Sequence, residues 1–505
     1  MNKASIDTIV IGSGIGGLTV AGLLAKSGRR VLVLERHDRA GGYAHGFKRK
    51  KYYFDAGVHL TSGCSNQGYE GGQLIAKTLQ ALDVYDQVEF IEVSPFAHVS
   101  LPELTISLPL SIEKFIKQVS GEFPDQETGL RDFLELSLQL TEQVAKADEV
   151  MATVGMESAS IELDLLFKYR RLTLAEVWDD YITDPQLKSV LAALWPYLGL
   201  PPEKVSFVYW VSMFIGYLVD GAYYCKGGFQ TLADALVLGL KKSAGEIRFK
   251  SQVTKIQVLD NQVQGVYLAS GEFIAAQTVV SNADIRLTIH ELVGAQYFPK
   301  RYISRLARMQ ASFSIFVVYI ATDLDIKHAG VQHEAFYYND GDHLKNYNNS
   351  VGGNLSWLSI TAPTLVDDTL APEGEHLLML TTLANFSQVD DWKKEKPAFV
   401  EKMIDFADSK ISGLKEHLVF VEAGSPATME RYTLNHQGAA YGWDVTPEQT
   451  GAMRLANKSP VQGLYYAGHW TAPGGGVYGV TYSGVQTAQS ILGLKKRDDL
   501  WAACS

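Results

Sequence analysis

The stretch from Thr8 to Gly42, TIVIGSGIGGLTVAGLLAKSGRRVLVLERHDRAGG, restricts this chain more than any other. The short apolar run Thr8–Ile11 reads as a buried parallel strand. Gly12, Gly14 and Gly17 follow as G-x-G-x-x-G, and Leu18, Ala21, Leu24 and Ala25 continue at helical spacing. Gly28 is a natural helix stop, and Val31–Leu34 is a second buried strand ending at Glu35. Strand, glycine turn, helix and strand in that order make a βαβ unit suited to a dinucleotide.

Each residue type has a physical task in such a unit. Gly12 permits the tight turn, Gly14 lets backbone approach a pyrophosphate, and Gly17 lets the helix sit close to the strand. The helix start, with Ile15 and Gly16, offers unpaired N–H groups and a positive dipole end to phosphates. Glu35 is placed to accept both hydroxyls of an adenosine ribose, and its charge would repel a 2′-phosphate, which disfavours an NADP-type ligand.

At 505 residues the chain suggests two interleaved domains, and 46% hydrophobic with 20% charged residues describes an ordinary globular protein. A net charge of −11 argues against a nucleic-acid partner, whose phosphates need a basic face. Cys64, Cys225 and Cys504 form no C-x-x-C pair, which fits a reducing, cytoplasmic setting and implies neither disulfides nor a metal site. None of the histidines lies in H-E-x-x-H, and no Ser/His/Asp arrangement stands out. The residues before Thr8 carry no secretory signal pattern, and no apolar run reaches the ~18 residues of a spanning helix. The nearest, Val205–Val219, reads as a core helix of a cap, with a tunnel wall or monotopic membrane contact as the alternative.

Beyond the opening unit, Gly72–Leu82, Leu130–Met151 and Leu187–Leu198 carry helical spacing, as expected of a helical excursion, and Phe96–Leu108 reads as a strand or hairpin. Gly221–Asp284 holds a Gly-Gly turn, an amphipathic helix and a strand. The alternating runs Val253–Leu259 and Val263–Leu268 then follow, joined at Asp260-Asn261-Gln262, and Thr278–Val280 leads into Ser281-Asn282-Ala283-Asp284. Strands at Ser312–Ile320 and His376–Thr382 and a helix at Phe399–Ile411 fit an antiparallel sheet backed by helices. The closing segment Gly463–Leu492 reads as a strand, Leu464–Ala467, a loop at Gly474–Gly476 and a helix from Val480. Gly474, Gly476 and Gly479 also spell G-x-G-x-x-G, but no strand follows them, so a second dinucleotide site is not expected.

Three blocks carry a family resemblance: RHDRAGG with YYFDAGVHL after Glu35, the Gly-Gly helix with V-V-S-N-A-D, and GLYYAGHWTAPGGGVYGV. Together they resemble the flavin amine oxidase and phytoene desaturase superfamily, and within it the carotenoid isomerase and retinol saturase branch. The resemblance implies an α/β fold: a Rossmann-type FAD-binding domain interleaved with an α+β substrate domain and a helical cap. The expected division is 1–70, 221–284 and 433–505 for FAD, and 71–220 with 285–432 for substrate. It places Arg36, Gly41 and Gly42 along the FAD, and Gly57, Val58 and His59 near its ring. It also places Val253 at the adenine, and Gly468, His469, Gly476, Tyr478, Gly479 and Val480 around the flavin. Tyr478 departs from the pattern, since relatives usually have Pro, and is expected to narrow or re-aim the pocket.

The implied activity is FAD-dependent oxidoreduction of a long hydrophobic unsaturated substrate, by isomerisation, saturation or desaturation. An amine-oxidase-like reaction on a smaller substrate and a non-catalytic prenyl-binding role of the GDP-dissociation-inhibitor type are the alternatives. Trp195, Tyr197, Phe207, Tyr209, Trp210 and Phe214 are available to line an apolar site, or equally to form plain core. His59 and then His469 are the acid/base candidates, with a merely loop-orienting role as the competing reading. Peripheral membrane contact and oligomeric state stay open.

Overall fold

The computed structural model describes residues 6–69 and 71–505; the leader reading of residues 1–5 lies outside them. At its centre is a five-stranded sheet in the order Leu464–Tyr466, Thr278–Ser281, Thr8–Ile11, Val31–Leu34 and Glu246–Arg248. All its pairings are parallel, with Ile9 beside both Leu32 and Val279. Thr8–Ile11 is buried along its whole length, which is why it reads as a continuous apolar run and not as an alternating one.

The helix Ile15–Lys26 is buried on every side from Ile15 to Ala25. It packs between the helices Gln230–Lys242 and Val477–Leu492, which belong to the middle and the end of the chain. The crossing with the last helix is close: a Cβ on Gly484 would stand 2.6 Å from the Cβ of Thr19. Thus three distant segments assemble around one strand–turn–helix.

Val253–Leu259, Gln262–Leu268 and Phe273–Ala275 form a separate antiparallel meander. Its first turn places Asp260 at φ 50° and Asn261 at φ 58°, the left-handed pair a tight hairpin requires. The run Thr278–Ser281 is no part of this meander and enters the parallel sheet instead.

The second major sheet has seven strands, ordered Leu418–Gly424, Ser314–Thr322, His376–Ala384, Trp357–Thr361, Glu334–Tyr338, Ala97–Leu101 and Leu104–Leu108. One face, with Phe316, Val318, Ile320 and Leu358, packs on Met403, Ile404 and Ala407 of the helix Trp392–Asp408. The other, with Val317, Tyr319, Phe336 and Tyr338, joins the main core. Between the Ala97–Leu108 hairpin and the third strand of this sheet the chain builds the helical excursion.

Val205–Val219 becomes the helix Phe207–Asp220, packed on the helix Glu127–Thr153. Among the described residues no helix is long and apolar enough to cross a membrane. Trp210 stacks on Phe214 at 4.7 Å, Phe207 meets Tyr169 at 5.5 Å, and Trp195 meets Trp357 at 5.2 Å. Trp195, Phe207, Trp210 and Phe214 are core and do not line the main cleft, because neighbouring elements close over them.

Candidate functional site

A cleft of about 1310 Å³ opens where the parallel strands end and the two sheets face each other. It exceeds the ~300–1,000 Å³ of an ordinary ligand pocket and lies at the strand carboxyl ends, where doubly wound sheets take ligands. Gly12, Gly14, Ile15, Gly16, Glu35, Arg36, Gly41, Gly42, Gly57, Val58, Val253, Gly468, His469, Gly476 and Val480 all line it. Gly17, His59, Tyr478 and Gly479 do not.

The glycines at the cleft floor are there because backbones touch. Gly41 N–H donates to Ser13 O at 2.8 Å, and a Cβ on Gly42 would lie 3.1 Å from Gly14 Cα. Gly17 serves beneath the floor, where its Cβ position is 2.4 Å from Gly12 O. Asn282, directly after the parallel strand Thr278–Ser281, fills the space that Cβ atoms on Gly14, Gly17 and Gly468 would need. Its Nδ2 donates to Ala467 O at 2.9 Å and so joins the first, middle and last blocks. The sequence marked Ser281–Asp284 as a motif, but only the packing identifies Asn282 as the shared wedge.

Glu35 is fixed before any ligand arrives. Its Oε2 accepts from Ser13 N at 2.8 Å and Ser13 Oγ at 2.7 Å, and its Oε1 accepts from His37 N at 2.7 Å. Ser13 is a site residue that the glycine spacing concealed, because it occupies a variable position of G-x-G-x-x-G. Arg36 leaves the strand end and donates to the carbonyls of Arg431 and Tyr432, which closes the outer rim. Asp284 accepts from Arg286 N, Leu287 N and His436 N at 2.7, 3.0 and 2.7 Å, tying the returning segment to the sheet.

Tyr478 does not narrow the cleft. Its hydroxyl donates to Gly71 O at 3.2 Å and its ring packs on Gly63, on the far side of the helix. Val477 and Val480, three positions apart on the Val477–Leu492 helix, face the cleft, which turns the intervening Tyr478 and Gly479 away. Tyr209 donates to Gly475 O at 3.1 Å and braces the glycine loop from the cap side.

The two candidate histidines occupy opposite electrostatic environments. His469 lines the cleft, and burial with the nearby Arg454 charge lowers its pKa to about 3, so it is neutral at physiological pH. Arg454 itself is buried among carbonyls, donating to Thr471 O at 2.8 Å, His469 O at 2.6 Å and Trp443 O at 3.2 Å; burial lowers it to about 10. His59 is turned from the cleft into the seven-stranded sheet, where Nε2 lies 3.3 Å from Glu334 Oε2. Burial disfavours its charged form, but Glu334, with smaller contributions from Asp55 and a Gly57 backbone hydrogen bond, raises the pKa on balance. Among the described residues no cluster of His, Cys, Asp and Glu is arranged to hold a metal ion, and all three cysteines are free and buried.

The family model for flavin containing amine oxidoreductases matches residues 15–492. The chain belongs to that family. It is 29% identical to prolycopene isomerase 1, chloroplastic, of an Oncidium hybrid cultivar, covering 97% of this chain and 85% of that one. It is 25% identical to all-trans-retinol 13,14-reductase of Danio rerio, with 92% and 82% covered. With the lycopene-forming phytoene desaturase of Pseudescherichia vulneris it shares 25%, with 96% and 99% covered. A solved Methanosarcina mazei oxidoreductase superposes with a TM-score of 0.65 at 17% identity, covering 97% of this chain and 100% of that one, which shows a shared fold.

As a member of this family the protein is an FAD-dependent oxidoreductase. The cleft fits that cofactor. A Cβ on Gly14 or Gly42 would fill the floor, the helix from Ile15 aims its N-terminus there, and Glu35 waits at the end of the second strand. Gly57, Val58, Gly468, His469 and Gly476 border the part of the cleft nearer the second sheet, together with Ile315 and Tyr441.

Proposed function

We propose that this enzyme rearranges or changes the saturation of carbon–carbon double bonds in a long hydrophobic polyene of the carotenoid or retinoid class. Isomerisation and saturation are favoured over desaturation, on the Gly57-Val58-His59 sequence of the loop beside the cleft. The observation that carries the reading is that relatives named for prolycopene, retinol and phytoene each align over more than nine-tenths of this chain. The segments 1–70, 221–284 and 433–505 would hold the cofactor, and 71–220 with 285–432 would hold the substrate.

When bound, FAD supplies a two-electron, hydride-level donor or acceptor. The protein's part is binding, orientation and proton control. Gly14, Gly42 and the helix start would take the pyrophosphate, Glu35 the ribose, and Val253 the adenine edge. Asn282 holds the three glycine segments at one spacing, and the Arg454 carbonyl cage holds the loop that carries His469. Neutral His469 is suited to hydrogen bonding at the flavin and not to proton storage. Ile315, Val58 and Tyr441 present apolar surface beside it, as an uncharged chain requires.

The test is anaerobic incubation of the purified holoenzyme, with flavin oxidised or reduced, against a panel of cis and trans polyenes and of amines, followed by product analysis. Conversion of a polyene, with no amine reducing the flavin, supports the reading. Rapid flavin reduction by amines with no polyene conversion rejects it in favour of an amine oxidase. A protein that takes up no flavin points to the non-catalytic binder.

A further inference from the structure

His59 follows Gly57 and Val58, which border the cleft, yet its imidazole turns away toward Glu334. Glu334 begins the strand Glu334–Tyr338 and pairs across the sheet with Thr361. Its side chain has 0% of its surface accessible, against 12% for His59. Thr361 Oγ1 donates to Glu334 Oε2 at 2.9 Å, on the same oxygen that faces His59 Nε2 at 3.3 Å. Glu334 Oε1 and the Tyr197 hydroxyl are both buried without a hydrogen-bond partner among the described residues. The Tyr197 ring stands 5.9 Å from the His59 ring, so these groups form one enclosed cluster.

A carboxyl group taken this completely out of water keeps a negative charge only where hydrogen bonds and a nearby cation offset the lost hydration. The groups that bear on the pair supply no other cation. Asp55 is acidic, His333 is held toward its neutral form by burial, and the phenols of Tyr197 and Tyr217 are pushed up by burial with Glu334 nearby. Tyr441, which bears on both phenols, is itself raised by burial. The imidazole is therefore the partner that balances Glu334.

We propose that Glu334 is a positioning residue: its enclosed carboxyl group, 3.3 Å from Nε2, fixes the orientation of His59 and favours the charged form of the ring beside the flavin-facing loop. The inference depends on the reading above only for what that loop faces. It makes His59, and not His469, the histidine whose surroundings favour binding a proton. A neutral ring could also donate from Nε2 to this carboxyl group, so the titration of the ring, and not the contact alone, separates a charged His59 from a merely loop-orienting one.

The experiment follows the His59 resonances, assigned with His59→Gln, through a pH titration of isotope-labelled holoenzyme in the wild type, Glu334→Gln and Glu334→Asp. The wild-type ring is expected to titrate above 6.5, the ordinary value. Glu334→Gln should lower its proton affinity at least about tenfold, one pH unit, and Glu334→Asp should restore part of that. Flavin content should be equal in all three. A wild-type ring titrating below 6.5, or one unmoved by Glu334→Gln, overturns the inference; the wild type and Glu334→Asp decide it should Glu334→Gln fail to fold. No polyene enters this measurement, so a shift that collapses in Glu334→Gln while no polyene is converted defeats the proposed activity and leaves this assignment standing.

Discussion

Replacing Gly17 by alanine should weaken FAD binding through a clash that the ligand never touches. The added Cβ would stand 2.4 Å from Gly12 O, 2.9 Å from Asn282 Oδ1 and 3.0 Å from Asn282 Cβ. Gly12 cannot swing its carbonyl aside, since it turns the chain at φ 91° with its N–H donated to Leu34 O at 2.9 Å. The helix start must therefore lift from the floor, carrying Gly14 and Ile15 with it. Overpacking of this kind costs about 1–3 kcal/mol, and alanine's better helix propensity returns about 0.5–1 kcal/mol. The remainder, about 0–2.5 kcal/mol, sets the ceiling on the loss at roughly 70-fold in the FAD dissociation constant, reached where the whole cost falls on the FAD-bound floor. Gly22→Ala in the same helix is the control: its Cβ meets the terminal methyl of Leu82 at 2.8 Å, which a leucine can move. Titrating FAD into deflavinated Gly17→Ala and Gly22→Ala, with thermal unfolding of each, separates the two. Wild-type affinity in Gly17→Ala, or an equal loss in Gly22→Ala, would refute the reasoning.

Three further perturbations test other parts of the structure. Asp220 is buried with Oδ2 unpartnered among the described residues, and burial raises its pKa from 3.8 to about 7. A raised acid contributes stability that is complete below 3.8 and is lost as pH rises through about 7. Asp220→Asn should thus gain thermal stability over wild type increasingly across that window and level off above it, by up to about 4 kcal/mol; a pH-independent difference would contradict this. Glu35→Ala removes the carboxylate held by Ser13 and His37 and should lower FAD affinity by about 1–3 kcal/mol, read as flavin lost on dialysis; full retention counts against the ribose role. Arg454→Met strips donors from the carbonyls of Thr471, Trp443 and His469 and should destabilise the protein by about 3–5 kcal/mol; an unchanged unfolding midpoint would show that the cage is not needed.

The residues that bear on backbone geometry were the most legible. A glycine that lets backbones touch leaves its mark locally, so Gly12, Gly14 and Gly17 could be assigned from spacing, and Gly41 and Gly42 from the family resemblance; all lie at the floor of the cleft or just under it. The same holds for the Asp260-Asn261 turn, which needs left-handed backbone whatever surrounds it. Aromatic residues were less legible. Trp195, Phe207, Trp210 and Phe214 have the composition of a channel wall, yet the elements that cover them come from elsewhere in the chain. Tyr478 was misplaced for a related reason: a helix beginning at Val477 rather than Val480 aims that side chain at Gly63 and Gly71. The third strand of the meander, Phe273–Ala275, was missed because three residues carry too little alternation to register.

By itself the sequence determined the strand–turn–helix suited to a dinucleotide and the acidic residue at the end of its second strand, while the fold that returns twice to complete it came from the family resemblance of three blocks. The first two follow from steric limits on single residues and from apolar periodicity, both of which act over a few positions. Tertiary structure alone decided that Asn282 is wedged among three glycines, that burial beside Arg454 keeps His469 neutral, and that Glu334 stands behind His59. Burial and charge pairing are properties of neighbours in space, and these neighbours are drawn from segments that no local pattern connects.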